Sequence, residues 1–231
     1  MSQRATLVHG SRRSRNPPTD NPRIATLAGI AAVAAGAFAR LVVLERDRRL
    51  SKEDQTALKK IAGSHAKHRR AAELLHPLGK WWSYVPAAAT VGATVYARGR
   101  GPRSDRAAGA ASVLLAATAS ALVNPLFDKA LPQPPPPPGR RSNPKPTFPS
   151  GHAFGLGAVA LASAYVLHRE DVVGTAAAAP IALLPPVVGG VAKVVEQKHW
   201  PSEVAGGFLV AVVIASLSVL VYELERAERA N

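Results

Sequence analysis

The stretch Phe148-Pro149-Ser150-Gly151-His152 ends a polar, basic loop and opens an apolar segment of helix length. His199-Trp200-Pro201-Ser202-Glu203 does the same further along the chain. Each puts a histidine where an apolar helix meets a polar loop. Working outward from these two junctions, the chain divides into apolar segments long enough to cross a bilayer, joined by charged connections. The fold class expected is all-α: a polytopic membrane helix bundle of about six transmembrane helices, with an amphipathic segment between the first and second.

The spans are expected near residues 24–44, 81–97, 107–127, 151–167, 172–192 and 203–222, within a membrane domain over 24–222. The first span is apolar apart from Thr26 and Arg40, and Arg40 lies near one end, where its stem can snorkel to the interface. Ala and Gly dominate it, as helix-packing faces in membranes allow. Trp81, Trp82 and Tyr84 open the second span as an interfacial aromatic belt. Pro180, Pro185 and Pro186 predict kinks in the fifth. Between the first two spans, Leu58, Ile61, Ala72, Leu74, Leu75 and Leu78 predict one or two amphipathic helices lying on the surface or capping the bundle.

Nearly half the chain is apolar (47%), yet its formal net charge is +14. That pairing fits a membrane protein with charged ends and points to anionic partners, either lipid head groups or phosphorylated substrates. Residues 1–23 read as a disordered basic arm rich in Arg and Pro, and residues 223–231 as a charged tail. No aromatic residues interleave with the charges of the arm, so it reads as a contact for an anionic membrane face and not for nucleic acid. The arm has no apolar core, so no cleavable signal peptide is expected ahead of the first span. There is no cysteine, which excludes disulfides, thiolate nucleophiles and Cys-ligated metal. His65 and His68 have no third ligand nearby, and no metal site is expected there.

The loop before the first junction contains an unbroken proline run, Pro134 to Pro138, which predicts a stiff polyproline II strut. Lys129, Arg140, Arg141 and Lys145 surround it. At the junction, Ser150 is a good N-cap for a helix starting at Gly151. Free N–H groups and the positive end of the helix dipole let an anion sit over Gly151 and His152. His152 can then hand a proton to a leaving oxygen. At the second junction, Ser202 can cap the helix, and Glu203 lies four residues after His199. If the chain turns at Pro201, that carboxylate can accept from one ring nitrogen of His199 and leave the other free to attack. Lys193 lies six residues before His199. One histidine near a helix start is usually an ordinary cap or interface residue; two of them at membrane–water junctions, each beside basic residues, point to chemistry.

Pro149-Ser150-Gly151-His152 and Lys193-x5-His199-x3-Glu203 resemble the second and third signature motifs of the type 2 phosphatidic acid phosphatase superfamily. That superfamily includes lipid phosphate phosphatases, undecaprenyl-diphosphate phosphatases and vanadium haloperoxidases. The run His199-Trp200-Pro201-Ser202-Glu203-Val204-x-Gly206-Gly207 is close to the family's usual one, and the resemblance extends from about Leu74 to Tyr222. It implies a membrane enzyme acting on a lipid phosphate or diphosphate by two-step phosphoryl transfer. His199 would be the nucleophile that forms a phosphohistidine, Glu203 its orienting group, and His152 the acid and then the base. Ser150 and the Gly151 amide would hold phosphate oxygens. Lys193, Lys129 and one of Arg140 and Arg141 would neutralise the charge, with no metal and no cofactor. By family analogy the site faces the outer side of the membrane and the termini are cytoplasmic.

Three departures from the family pattern stand out. Lys193 replaces a usual Arg, keeping the charge and losing the bidentate fork. Glu203 replaces a usual Asp and is one methylene longer. In the first motif, which has Lys, six residues and then Arg-Pro, the position seven after Lys129 is Pro136. These departures motivate a second expectation, a catalytically impaired relative that binds anionic lipid head groups. The apolar spans argue against a soluble haloperoxidase.

Overall fold

The computed structural model describes residues 21–64, 66–138 and 148–230. Among these the regular elements are all helical: α1 (Pro22–Arg46), α2 (Ser51–Ser64), α3 (Arg69–Leu74), α4 (Trp81–Arg98), α5 (Arg103–Ala130), α6 (Gly151–Arg169), α7 (Thr175–Val195) and α8 (Pro201–Ala230). Two 3₁₀ turns, Ala66–His68 and His76–Gly79, join α2 to α3 and α3 to α4. The basic arm and the loop arginines, Arg140 and Arg141, fall outside the described residues, except for the last residues of the arm.

Helices α1, α5, α6, α7 and α8 are long and apolar enough to cross a membrane. Helix α4, which covers the second expected span, is not among these. Trp81, Trp82 and Tyr84 at one end and Arg98 at the other lower its overall apolarity, as suits a helix whose ends rest in the interfacial layers. Its 18 residues rise about 27 Å, near the thickness of a hydrocarbon core. The chain is thus an all-helical, multi-pass membrane protein.

The six long helices alternate in direction. Arg23, at the start of α1, lies within electrostatic reach of Tyr165 near the end of α6. Glu45, at the far end of α1, lies beside Ser202 at the start of α8. The core between α4, α5, α6 and α8 packs small and β-branched side chains, among them Ala88, Val95, Val113, Ala117, Ala158, Ala162, Ala211 and Val219, around Phe154. Glycine sets the close approaches: a Cβ at Gly109 would fall 2.7 Å from Val166 Cγ1, and one at Gly157 would fall 2.8 Å from Ala211 Cβ. Small residues at such positions let membrane helices pack through dispersion contacts, where no hydrophobic drive exists between helix and lipid.

One end of the bundle is closed by ion pairs. Tyr222 and Arg226 of α8 both donate to the buried carboxylate of Glu170, just past α6. Arg169 Nε and Tyr165 Oη donate to Glu223 at 2.8 and 2.9 Å. Arg226 and Arg229 pair with Asp105 of α5 at 3.4 and 3.3 Å. These pairs spend the charges of the expected tail inside the fold, so α8 continues past Tyr222 to Ala230. Helix α7 likewise runs unbroken through Pro180, Pro185 and Pro186.

The opposite end is capped by the amphipathic segment. Leu58 and Ala62 of α2 pack on Val194, Trp200 and Val204, and Ala72 of α3 packs on Ala192 and Val195. Leu74, Leu78, Trp81 and Trp82 point outward from this cap and the start of α4. They make an apolar rim at the level where head groups meet acyl chains.

Candidate active site

The two junctions meet at the capped end. Ser150 N donates to Glu203 O at 2.9 Å, so the starts of α6 and α8 are tied through the backbone. Gly207 allows the approach: a Cβ there would lie 2.7 Å from Ser150 O and 2.8 Å from Ala153 Cβ. The His152 and His199 rings face one another with centroids 6.3 Å apart.

Glu203 is fully buried, and its Oε2 sits 2.8 Å from His199 Nδ1 and 3.2 Å from Trp200 N. The extra methylene relative to Asp is therefore absorbed within the first turn of α8. A carboxylate acceptor at Nδ1 assigns the proton to that nitrogen and leaves Nε2 with its lone pair. The chain reaches His199 by a tight return after α7, in which Lys198 N donates to Lys193 O at 3.0 Å and Gln197 takes φ 55°.

Ser150 has the extended backbone of an N-cap, but its side chain makes no capping bond. The expected side-chain cap is corrected here. The Ser150 carbonyl already takes Ala153 N and Phe154 N, at 3.0 and 3.1 Å, and the hydroxyl stays buried without a partner among the described residues. His152 Nε2 is in the same condition. Buried polar atoms rarely stay unpaired, so two such atoms at the start of α6 suit a polar ligand there. Gly151 is tightly packed for another reason: the side chain of Asn124, on α5, fills the place a Cβ would take.

The expected cap of α8 is corrected as well. That helix begins at Pro201, one residue before Ser202, and its cap comes from a distance. Asp54 of α2 accepts from Ser202 N at 2.9 Å and from Ser202 Oγ at 2.5 Å. Burial raises the Asp54 carboxyl above its ordinary range, against the pull of its bonds to Ser202.

Lys193 is buried at the end of α7. Its Nζ lies 2.7 Å from Glu196 Oε1 and 2.8 Å from His76 Nδ1. Lys198 pairs with the other oxygen of Glu196. Burial pushes the Glu196 carboxyl up, but the two lysines outweigh it and hold it below its ordinary value. His76 belongs to the 3₁₀ turn before α4, and its ring centroid is 4.9 Å from that of His152. Burial, then Lys193, Lys198 and Lys80, hold its imidazole below the usual range.

The structure therefore brings together Ser150, Gly151, His152, Lys193, His199 and Glu203. Lys129 is exposed on the last turn of α5. Arg140 and Arg141 lie outside the described residues, but the loop that bears them is pinned at both ends. Gln133 exchanges two hydrogen bonds of 3.0 Å with the Phe148 backbone, and Trp200 Nε1 donates to Pro135 O at 2.7 Å. His76, Glu196, Asp54 and Asn124 escaped the sequence reading. Only His76-Pro77-Leu78-Gly79, a polar break just before the aromatic belt, carried any local signal.

A family model described as the PAP2 superfamily matches residues 108–227, just over half of the chain. Among solved structures, the fold resembles one described as the first transmembrane PAP2 type phosphatidylglycerolphosphate phosphatase from Bacillus subtilis. The TM-score is 0.67 at 17% identity, covering 82% of this chain and 94% of that one. No curated protein matches the chain in sequence.

Proposed function

This chain belongs to the PAP2 superfamily, and from that premise we propose that it is an integral-membrane phosphatase that hydrolyses a lipid phosphate or diphosphate, of the polyprenyl diphosphate or phosphatidate type, through a phosphohistidine. The observation that carries this reading is the 2.8 Å contact between His199 Nδ1 and Glu203 Oε2 in a buried setting. It leaves Nε2 as the nucleophile. In the first step Nε2 forms a bond to phosphorus, the bond from phosphorus to the leaving oxygen breaks, and His152 gives that oxygen its proton. In the second step His152 takes a proton from water, the water oxygen attacks phosphorus, and the P–N bond breaks to release inorganic phosphate. Ser150 Oγ, unpartnered and buried, and the free amides at the start of α6 hold phosphate oxygens. Lys193 neutralises developing charge, the contribution that most lowers such a barrier, joined by Lys129 and one of Arg140 and Arg141. The chemistry needs no metal and no cofactor.

Two observations support a substrate with a hydrocarbon chain. An apolar groove of about 360 Å³ runs between α3 and α7, lined by Ala72, Leu75, Val187, Val188, Val191 and Val195. Its walls include the direct neighbours of His76, Lys193 and Glu196, so it opens beside the polar site. The Bacillus subtilis neighbour is described as a phosphatidylglycerolphosphate phosphatase, and a lipid phosphate here would belong to the same substrate class. The site is proposed to face the extracytoplasmic side of a cell membrane.

Purified in detergent, the wild type is expected to release phosphate from at least one member of a lipid-phosphate panel, with chelator present, and His199→Ala to release none. A folded wild type that releases none would instead favour a relative that binds anionic lipid head groups. The neutralisation of Lys193 by Glu196 is the observation on that side.

A further inference from the structure

Lys193 and His76 come from segments far apart in sequence, yet their nitrogens stand 2.8 Å apart, with the His76 ring 4.9 Å from that of His152. Each feature of this contact restricts its chemistry. Lys193 is an ammonium whose three N–H groups have no acceptor capacity. One N–H goes to Glu196 Oε1 at 2.7 Å, and a second goes to His76 Nδ1. His76 must then be neutral, with its proton on Nε2. The pair thus presents two donors, the third N–H of Lys193 and the Nε2–H of His76. Glu196 lies behind Lys193 and fixes its position. Beside the pair, the unpartnered Ser150 Oγ and His152 Nε2 mark where a polar ligand belongs.

Resting on the phosphatase reading, we propose that His76 is a phosphate-binding residue that forms a composite two-donor clamp with Lys193. A guanidinium supplies two parallel donors from one side chain, whereas an ammonium acts as a point charge. Here the second donor comes from the 3₁₀ turn His76–Gly79, held against the site by close packing. A Cβ at Gly79 would fall 2.5 Å from His152 Cδ2. His76 lies outside residues 108–227, so the family match itself assigns it no role.

The test is equilibrium binding of orthovanadate, a phosphoryl mimic, to the full chain in detergent, read without turnover. His76→Ala and Lys193→Ala are each expected to weaken binding about tenfold to a hundredfold, the range for a hydrogen bond to a charged group. The double variant should be little worse than either single one, because the two act as a unit. Lys193→Arg placed in the His76→Ala background should return binding to within about threefold of the wild type, since one guanidinium restores both donors. If His76→Ala does not fold, His76→Phe takes its place with the same expectations. Wild-type affinity in His76→Ala, losses that multiply in the double variant, or no recovery with arginine in a folded protein would each overturn the clamp, as would a wild type that does not bind orthovanadate. A wild type that binds it but hydrolyses no lipid phosphate defeats the phosphatase reading and leaves the clamp standing.

Discussion

Glu203 Oε2 holds His199 Nδ1 at 2.8 Å from a position with no solvent access, and the same oxygen takes the Trp200 amide. One carboxylate thus fixes both the ring tautomer and the backbone that bears the ring. Glu203→Gln preserves the shape but removes the charge and offers an amide where an acceptor is needed. Turnover of a lipid phosphate is expected to fall by up to about ten-thousandfold, the loss seen when the orienting acid of a catalytic imidazole is neutralised. Glu203→Asp withdraws the carboxylate by one methylene and should cost about tenfold through lost alignment. Steady-state rates at saturating substrate would decide. Unchanged turnover in Glu203→Gln would remove the orienting role.

Gly79 is expected to be intolerant of any side chain. Its hydrogen occupies space that a Cβ would share with the His152 ring, at 2.5 Å from Cδ2. Gly79→Ala should displace that ring and reduce turnover about tenfold or more, while the thermal midpoint drops by no more than a few degrees. Activity measured beside a melting curve separates the two effects. Full activity would mean that the 3₁₀ turn can shift away without moving His152.

The lowered pKa of His76 fixes the sign of a pH effect on stability. Burial, followed by Lys193, Lys198 and Lys80, disfavours the charged imidazole, while Glu196 pulls the other way and the His152 ring packs beside it. The unfolded chain then takes up a proton near the ordinary value of 6.5, where the folded chain does not. Stability is greatest above that value and falls as the pH drops below it. His76→Gln, which cannot titrate, should show a flatter decline in melting temperature between about pH 5 and pH 7. An equal decline in both proteins would assign the acid sensitivity elsewhere.

The groove between α3 and α7 should govern chain length and leave the head group alone. Val191→Trp places an indole in a space of about 360 Å³. The expected result is a KM raised about tenfold for long-chain lipid phosphates, equivalent to losing the burial of roughly two methylenes, with little change for a short-chain ester. An equal effect on both substrates would show that the tail lies somewhere else.

What could be read from the sequence was whatever local spacing determines. The apolar runs predicted α1, α5, α6, α7 and α8, and the four-residue step from His199 to Glu203 predicted their hydrogen bond. The aromatic start of α4 was equally legible, because interfacial Trp and Tyr mark a helix end. Long-range partners were not. Asp54 caps α8 across the interval between α2 and the last helix, and Asn124 fills the space beside Gly151, yet neither has a local pattern to announce it. Ser150 and Ser202 show the limit of motif reasoning: each is a good cap by type, and in each case another group makes the bond. Lys193 read as a cation for phosphate, but its carboxylate neighbour Glu196, three residues on and one helical turn away in space, pairs with it and lets it be buried.

The ion pairs that join Asp105, Arg169 and Glu170 to the last turns of α8 bind α5, α6 and α8 at the end remote from His152 and His199. A bundle fastened in this way behaves like a pair of tongs with its rivet at one face of the membrane. Helix movements that admit a lipid or let phosphate depart have their largest amplitude at the other face, where the jaws meet through glycine contacts and hydrogen bonds such as those from Ser202 to Asp54. Loosening the rivet, far from any reacting atom, would therefore alter how wide the jaws open and how quickly product leaves.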